Sequence, residues 1–157
     1  MNTAFEARQL RKTYHAIVVG SPPWMEYLAD LPLKVDSDRR HRTAVSFADG
    51  KPSRTQFRVI TSNGSFSLVE ARPLTGYTHQ IRAHLLNLGF PILADPLYTF
   101  TNLPPQKSPA IQPPIDRLAL HAFSLVFQHP ITGIELQLTA PYPEDFNHAL
   151  VALSLTL

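Results

Sequence analysis

The residues best suited to chemistry lie in one octapeptide, Thr75-Gly76-Tyr77-Thr78-His79-Gln80-Ile81-Arg82. A glycine turn leads into a helical pattern there, so Thr78 is the expected N-cap, with its hydroxyl holding a first-turn N–H. His79 and Arg82 stand three apart, a spacing that sets both on one helical face, offset from the apolar stripe of Ile81, Leu85 and Leu88. A helix N-terminus beside an arginine can receive an anion or a partner carboxylate. The same spacing serves equally well as a capped amphipathic helix with a solvated polar face. Tyr14 lies in the basic stretch Arg11-Lys12-Thr13-Tyr14-His15. Its ring could stack on a base and its phenol could take a proton, or it simply packs, as strand tyrosines do.

Other chemistries find little support. The chain has seven histidines, but His79 and His84 diverge by about 140° around a helix. His121 and His129 fall at separate strand ends and no His-Glu-x-x-His string occurs, so no metal is expected. The absence of cysteine excludes a disulfide scaffold, a thiol nucleophile and a thiolate metal site. There is no Gly-x-Ser-x-Gly and no phosphate-cradling glycine loop, which argues against a serine hydrolase and against a nucleotide cofactor.

The elements that must position these residues follow from the whole 157-residue chain. That length fits one domain, and 44% hydrophobic with 17% charged residues fits a folded core. Fifteen prolines against six glycines favour strands joined by stiff loops over a helical bundle. Charge is uneven: residues 1–58 carry a balance of +4 and residues 59–157 one of −2, which makes a polyanion a candidate partner. No apolar run reaches the ~20 residues of a membrane helix and the first residues lack a secretory apolar core, so no membrane association and a cytoplasmic location are expected.

Strands are expected over 12–19, 54–60 and 66–72, and a short one over 44–47, with a type I′ turn at Asn63-Gly64 joining the second and third. A second hairpin is expected over 123–128 and 134–140. Helices are expected over 3–10, over 78–88 with Gly89 as the stop, and over 144–153. Residues 24–51 read as mostly loop, and 100–114 as a proline-rich loop. The result is an α+β fold with a mostly antiparallel, mixed β-sheet and a few flanking helices.

At these residues the chain resembles the RluA-type RNA pseudouridine synthases. Arg72 to Leu85 is similar to that family's "TGRTHQIRVHL" block, and Leu88 to Tyr98 to "LGHPILGDPLY". Arg117 to Ala122 and His129 to Gly133 resemble "RLLLHA" and "HPxTG", while Lys12 to Ala16 and Gly50 to Thr55 resemble "KxYxA" and "GKxAxT". The blocks occur in family order along almost the whole chain. Tyr77 replaces the motif's arginine.

The resemblance implies a pseudouridine synthase-like fold and isomerisation of uridine to pseudouridine in rRNA or tRNA, without a cofactor. Arg82 would hold the family's catalytic aspartate, Tyr14 would stack on the base and help remove the C5 proton, and Leu118 would line the uracil pocket. Thr78, His79 and Gln80 would contribute to substrate binding. Lys12, Arg39, Arg40 and Arg42 would meet RNA phosphates, an assignment resting on charge alone. The family's His-Arg-Leu-Asp motif, expected before the "KxYxA" strand, does not occur in these 157 residues. The expectation is therefore a single, N-terminally truncated catalytic domain over 1–157, inactive alone and able to pair with a missing N-terminal segment or another chain. The alternative is a non-catalytic RNA-binding fragment or remnant.

Overall fold

Two alternating stretches set the frame. Thr55, Phe57 and Val59 are buried and Arg54, Gln56 and Arg58 exposed along β5 (Arg54–Ser62), so one face of this strand must be covered. β6 (Phe66–Pro73) returns antiparallel to it and is buried on both faces. The computed structural model describes residues 10–100 and 113–156. The expected helix from Thr3 falls almost wholly outside them, as does most of the proline-rich loop.

β1 (Arg11–Val19) pairs with β6 on one side and with β7 (Leu120–Gln128) on the other, and β8 (Glu135–Thr139) closes that end as the hairpin partner of β7. At the other end β2 (Glu26–Asp30) pairs with β5, giving a six-stranded antiparallel sheet in the order β2-β5-β6-β1-β7-β8. β3 (Leu33–Lys34) and β4 (Ala44–Val45) form a separate small pair. Residues 24–51 are thus not all loop. β2 escapes the alternation test because it is an edge strand in which only Ala29 is buried.

The Asn63-Gly64 hairpin forms, but not as a type I′ turn: only Gly64 adopts a positive φ, +91°. Asn63 works through its side chain instead, its Oδ1 accepting the N–H groups of Ser65 and Phe66, each at 2.8 Å. Its Nδ2 donates to the Leu153 carbonyl at 2.7 Å, tying the turn to the end of the last helix.

Register assigns the two faces of β1. Tyr14, Ala16 and Val18 align with Ala71, Val69 and Ser67 on one face, and His15 and Ile17 with Glu70 and Leu68 on the other. Helix α1 (Gln80–Asn87) covers part of the Tyr14 face, burying Ile81 and Leu85 as the stripe requires, with Leu88 packed alongside. Gly89, at φ +92°, ends it. Helix α2 (Glu144–Ala152) contributes Phe146, Ala149 and Leu150 to the core, and Phe146 stacks on Tyr142 beside His121.

Across that second face the register lines up Glu26, Arg58, Glu70, His15 and His121, one per strand. Glu70 is bonded by Arg58 and Arg72, while His15 stacks on Phe123 and meets the Tyr142 hydroxyl through Nδ1. Trp24, the chain's only tryptophan, packs against Tyr27, Phe57 and Phe90 near the β2 end. At the opposite end every residue of β8 is exposed, and Leu136 and Leu138 lie on the Tyr14 face, opposite Phe127 and Leu125.

Candidate active site

A cleft of about 620 Å³ opens on the Tyr14 face where β1, the start of α1 and the approach to β7 converge. Lys12, Tyr14, His79, Gln80, Arg82 and Leu118 all line it, so six of the ten residues marked in the sequence meet in one place. The other four do not line it. Thr78 is exposed, its carbonyl accepting from Thr43 Oγ1 at 2.7 Å. Arg42 is tied to Asp38, by Nε at 2.7 Å and Nη2 at 2.6 Å, and lines a neighbouring hollow. Arg39 and Arg40 are exposed on the same turn.

The helix begins later than Thr78, and Thr78 does not cap it. His79 occupies the N-cap position in the left-handed region, φ +55°, and no side-chain cap bond is made. His79 and Arg82 therefore do not share a helical face; the ring of His79 is placed by contacts outside the helix. Its Nδ1 lies 3.0 Å from the Tyr98 hydroxyl. Burial and the Arg82 charge hold the His79 imidazole below its ordinary range, against the opposing pull of Asp95.

Gln80 folds back over the glycine turn. Its Oε1 accepts the Thr75 hydroxyl at 2.8 Å and the Tyr77 N–H at 3.2 Å, and its Nε2 donates to the Arg54 carbonyl and to Thr55 Oγ1, both at 2.9 Å. Thr55 Oγ1 in turn contacts His84 Nδ1 at 2.9 Å, while His84 Nε2 reaches the Leu31 carbonyl at 3.0 Å. Because that carbonyl only accepts, His84 carries its proton on Nε2 and receives the Thr55 hydroxyl on Nδ1. Every polar atom in this chain is used, which fixes the 75–77 wall of the cleft to β5.

Arg82 has a partner that the sequence did not disclose. Its Nε and Nη2 donate to Asp95 at 2.8 and 2.7 Å, with the Asp95 side chain fully enclosed. Asp95 Oδ1 also accepts the N–H groups of Leu97 and Tyr98, at 2.9 and 3.0 Å. Burial pushes the Asp95 carboxyl up, but these donors outweigh it and the net position is below the ordinary range. The guanidinium carbon stands 4.6 Å from the centre of the Tyr98 ring, within cation–π range. Among the described residues Nη1 has no protein acceptor, and no carboxylate lines the cleft. Leu118 reaches the cleft from just ahead of β7 rather than from within a strand.

The arrangement is an apolar-floored cleft with a phenol, a lysine, a neutral imidazole and a fixed guanidinium on its walls. Such a site suits a planar polar ring attached to an anionic backbone. Among the described residues no group of acids and histidines could hold a metal ion.

The fold and the cleft define the class. Among solved structures the chain is similar to the human RNA pseudouridylate synthase domain containing 4, with a TM-score of 0.75 and 29% identity over 96% of this chain and 64% of that one. It is similar also to domain containing 1, with a TM-score of 0.71 and 26% identity over 89% and 58%. Residues 1–87 match the RNA pseudouridylate synthase family profile.

The chain belongs to the RNA pseudouridine synthase family, in its RluA-type branch. It is 41% identical over 145 residues to an uncharacterized RNA pseudouridine synthase of Chloroflexus aurantiacus, covering 92% of this chain and 43% of that protein. It is 39% identical over 138 residues to the dual-specificity RNA pseudouridine synthase RluA of Pasteurella multocida, covering 87% and 59%. The chain thus spans about half the length of the curated relatives it matches.

Proposed function

We propose that this chain forms the base-receiving cleft of an RNA pseudouridine synthase acting on rRNA or tRNA. A uridine leaves its stack and enters the cleft, where Tyr14 stacks on the base and Leu118 borders it. Arg82 and Lys12 face the charged backbone or an acidic partner group. The reaction breaks the N1–C1′ bond, turns the base and joins C5 to C1′, the C5 proton leaving as N1 takes one up, so no cofactor is consumed. The single observation that carries the reading is the meeting of Tyr14, Arg82 and Leu118 in one cleft of a family member.

The same geometry supports inactivity of these residues by themselves. The 157 residues contain no His-Arg-Leu-Asp string, and Asp95, the acid bonded to the cleft's arginine, is held by Arg82. That engagement also favours a second reading, a non-catalytic RNA-binding unit. The test incubates the purified 157-residue chain with unmodified rRNA and tRNA transcripts, scoring binding by gel shift and pseudouridine by mass spectrometry of the nucleosides. Binding without pseudouridine is the expected result. Pseudouridine formation would overturn the inactivity, and an absence of binding would overturn RNA as the partner.

A further inference from the structure

The Tyr98 hydroxyl meets two groups. It accepts the Thr43 N–H at 2.8 Å and lies 3.0 Å from His79 Nδ1. Tyr98 is only 2% exposed, so its own hydrogen must find an acceptor inside the protein. Nδ1 is the acceptor within reach, which leaves the imidazole proton on Nε2. Nε2 has no partner among the described residues, and the ring lines the cleft beside Arg82.

The backbone is committed to the same end. His79 sits at φ +55°, a conformation disfavoured for a residue with a Cβ. Strain of this kind persists where the surroundings hold it. They do so here: Thr43 bonds the Thr78 carbonyl, Tyr98 bonds the ring, and Asp95 bonds the backbone of Tyr98.

We propose that Tyr98 is a positioning residue that fixes His79 as a neutral Nε2–H donor, and that this donor reads a carbonyl oxygen of the base in the cleft. The inference rests on the proposed RNA-binding role. A fixed donor that cannot become an acceptor favours uracil, which presents two carbonyl oxygens. It disfavours cytosine, in which an amino donor replaces one of them. Tyr98 also supports the Arg82 guanidinium with its ring, so one side chain sets both the base-reading donor and the cation beside it.

The test uses the full 157-residue chain with single-stranded oligouridylate and oligocytidylate of equal length, affinities read by fluorescence anisotropy. The imidazole 1H–15N spectrum reports the tautomer. The variants are Tyr98→Phe, which keeps the ring under Arg82, and His79→Gly, which is at home at a positive φ and so preserves the backbone. The wild type should show the Nε2–H form and bind oligouridylate more tightly. Both variants should lose about five- to tenfold of that preference, with circular dichroism unchanged. A His79 proton on Nδ1, or a preference unchanged in either variant, would overturn the proposal while leaving RNA binding intact. Failure of the wild type to bind either oligonucleotide would overturn the RNA reading, and the base-reading role with it. If Tyr98→Phe does not fold, the His79→Gly ratio decides.

Discussion

The Asp95 carboxylate and the Arg82 guanidinium meet through two parallel hydrogen bonds of 2.8 and 2.7 Å, with the acid fully enclosed and the base 11% exposed. Both ends of the pair are anchored, Asp95 by the backbone of Leu97 and Tyr98 and Arg82 by its helix. Arg82, to which the resemblance assigns the family's catalytic aspartate, thus already holds a carboxylate of this chain.

Neutralising the acid should be costly although it changes little in shape. Asp95→Asn keeps an oxygen for the backbone donors but leaves an arginine without its counter-charge. We expect a loss of about 3 kcal/mol, measured by urea unfolding. The Asp95 carboxyl is held below its ordinary value, so the pair's contribution is present above pH ~4 and lost as the pH falls through the folded-state value. The variant should lack that part of the acid limb; an unchanged limb would count against the pairing.

The buried imidazole of His84 predicts a second, higher pH dependence. Burial lowers its proton affinity, opposed by the Leu31 carbonyl and the Asp30 charge. The unfolded chain therefore binds a proton more readily. Stability is full above pH ~6.5 and declines as the pH falls below it, through the folded-state value. His15 and His79 are lowered in the same direction. A urea midpoint that is level between about pH 7 and 8 and falls between about 6.5 and 5 is expected. His84→Gln should remove part of that slope, and an undiminished slope would refute the assignment.

Ala94, next to Asp95, adopts φ +57°. The methyl group disfavours this conformation, and a glycine there would not be strained. Ala94→Gly should raise stability by about 1 kcal/mol, the relief of strain outweighing the added freedom of the unfolded chain. Equal or lower stability in thermal and urea melts would show that the turn carries no strain.

The β7–β8 hairpin leaves apolar side chains in water, Leu138 at 56% exposure and Leu136 at 36%. Among the described residues β8 ends the sheet, and an edge with such a face invites strand pairing between copies. Leu138→Lys should change stability by no more than about 0.5 kcal/mol. It should also lower concentration-dependent light scattering; scattering that stays the same would exclude this edge as its source.

Local patterns made part of this fold readable and long-range bonds concealed the rest. The alternation of Thr55, Phe57 and Val59, the apolar stripe of α1 and the stop at Gly89 all announce themselves within a few residues. β2 does not, because an edge strand exposed along Glu26, Tyr27 and Leu28 has no burial pattern to display. In the cleft, Tyr14 and Arg82 stand out by residue type and spacing and Leu118 by resemblance, whereas nothing local marks Asp95 or Tyr98. Their bonds to Arg82 and His79 span 13 and 19 residues, beyond the reach of helical or strand spacing. The left-handed His79 was invisible for the same reason: a threonine before a helical pattern reads as a cap until Thr43 and Tyr98 claim the backbone and ring around it.

The lone indole at Trp24 gives the chain an optical gauge of its own. Its neighbours Tyr27, Phe57 and Phe90 come from β2, β5 and the segment after α1, and Trp24 does not line the cleft. Emission excited at the red edge of tyrosine absorption should therefore follow the melting of the sheet's β2 end and stay nearly constant when a nucleic acid occupies the other half. Folding can then be followed with a nucleic acid present or absent, without attaching a dye to the protein.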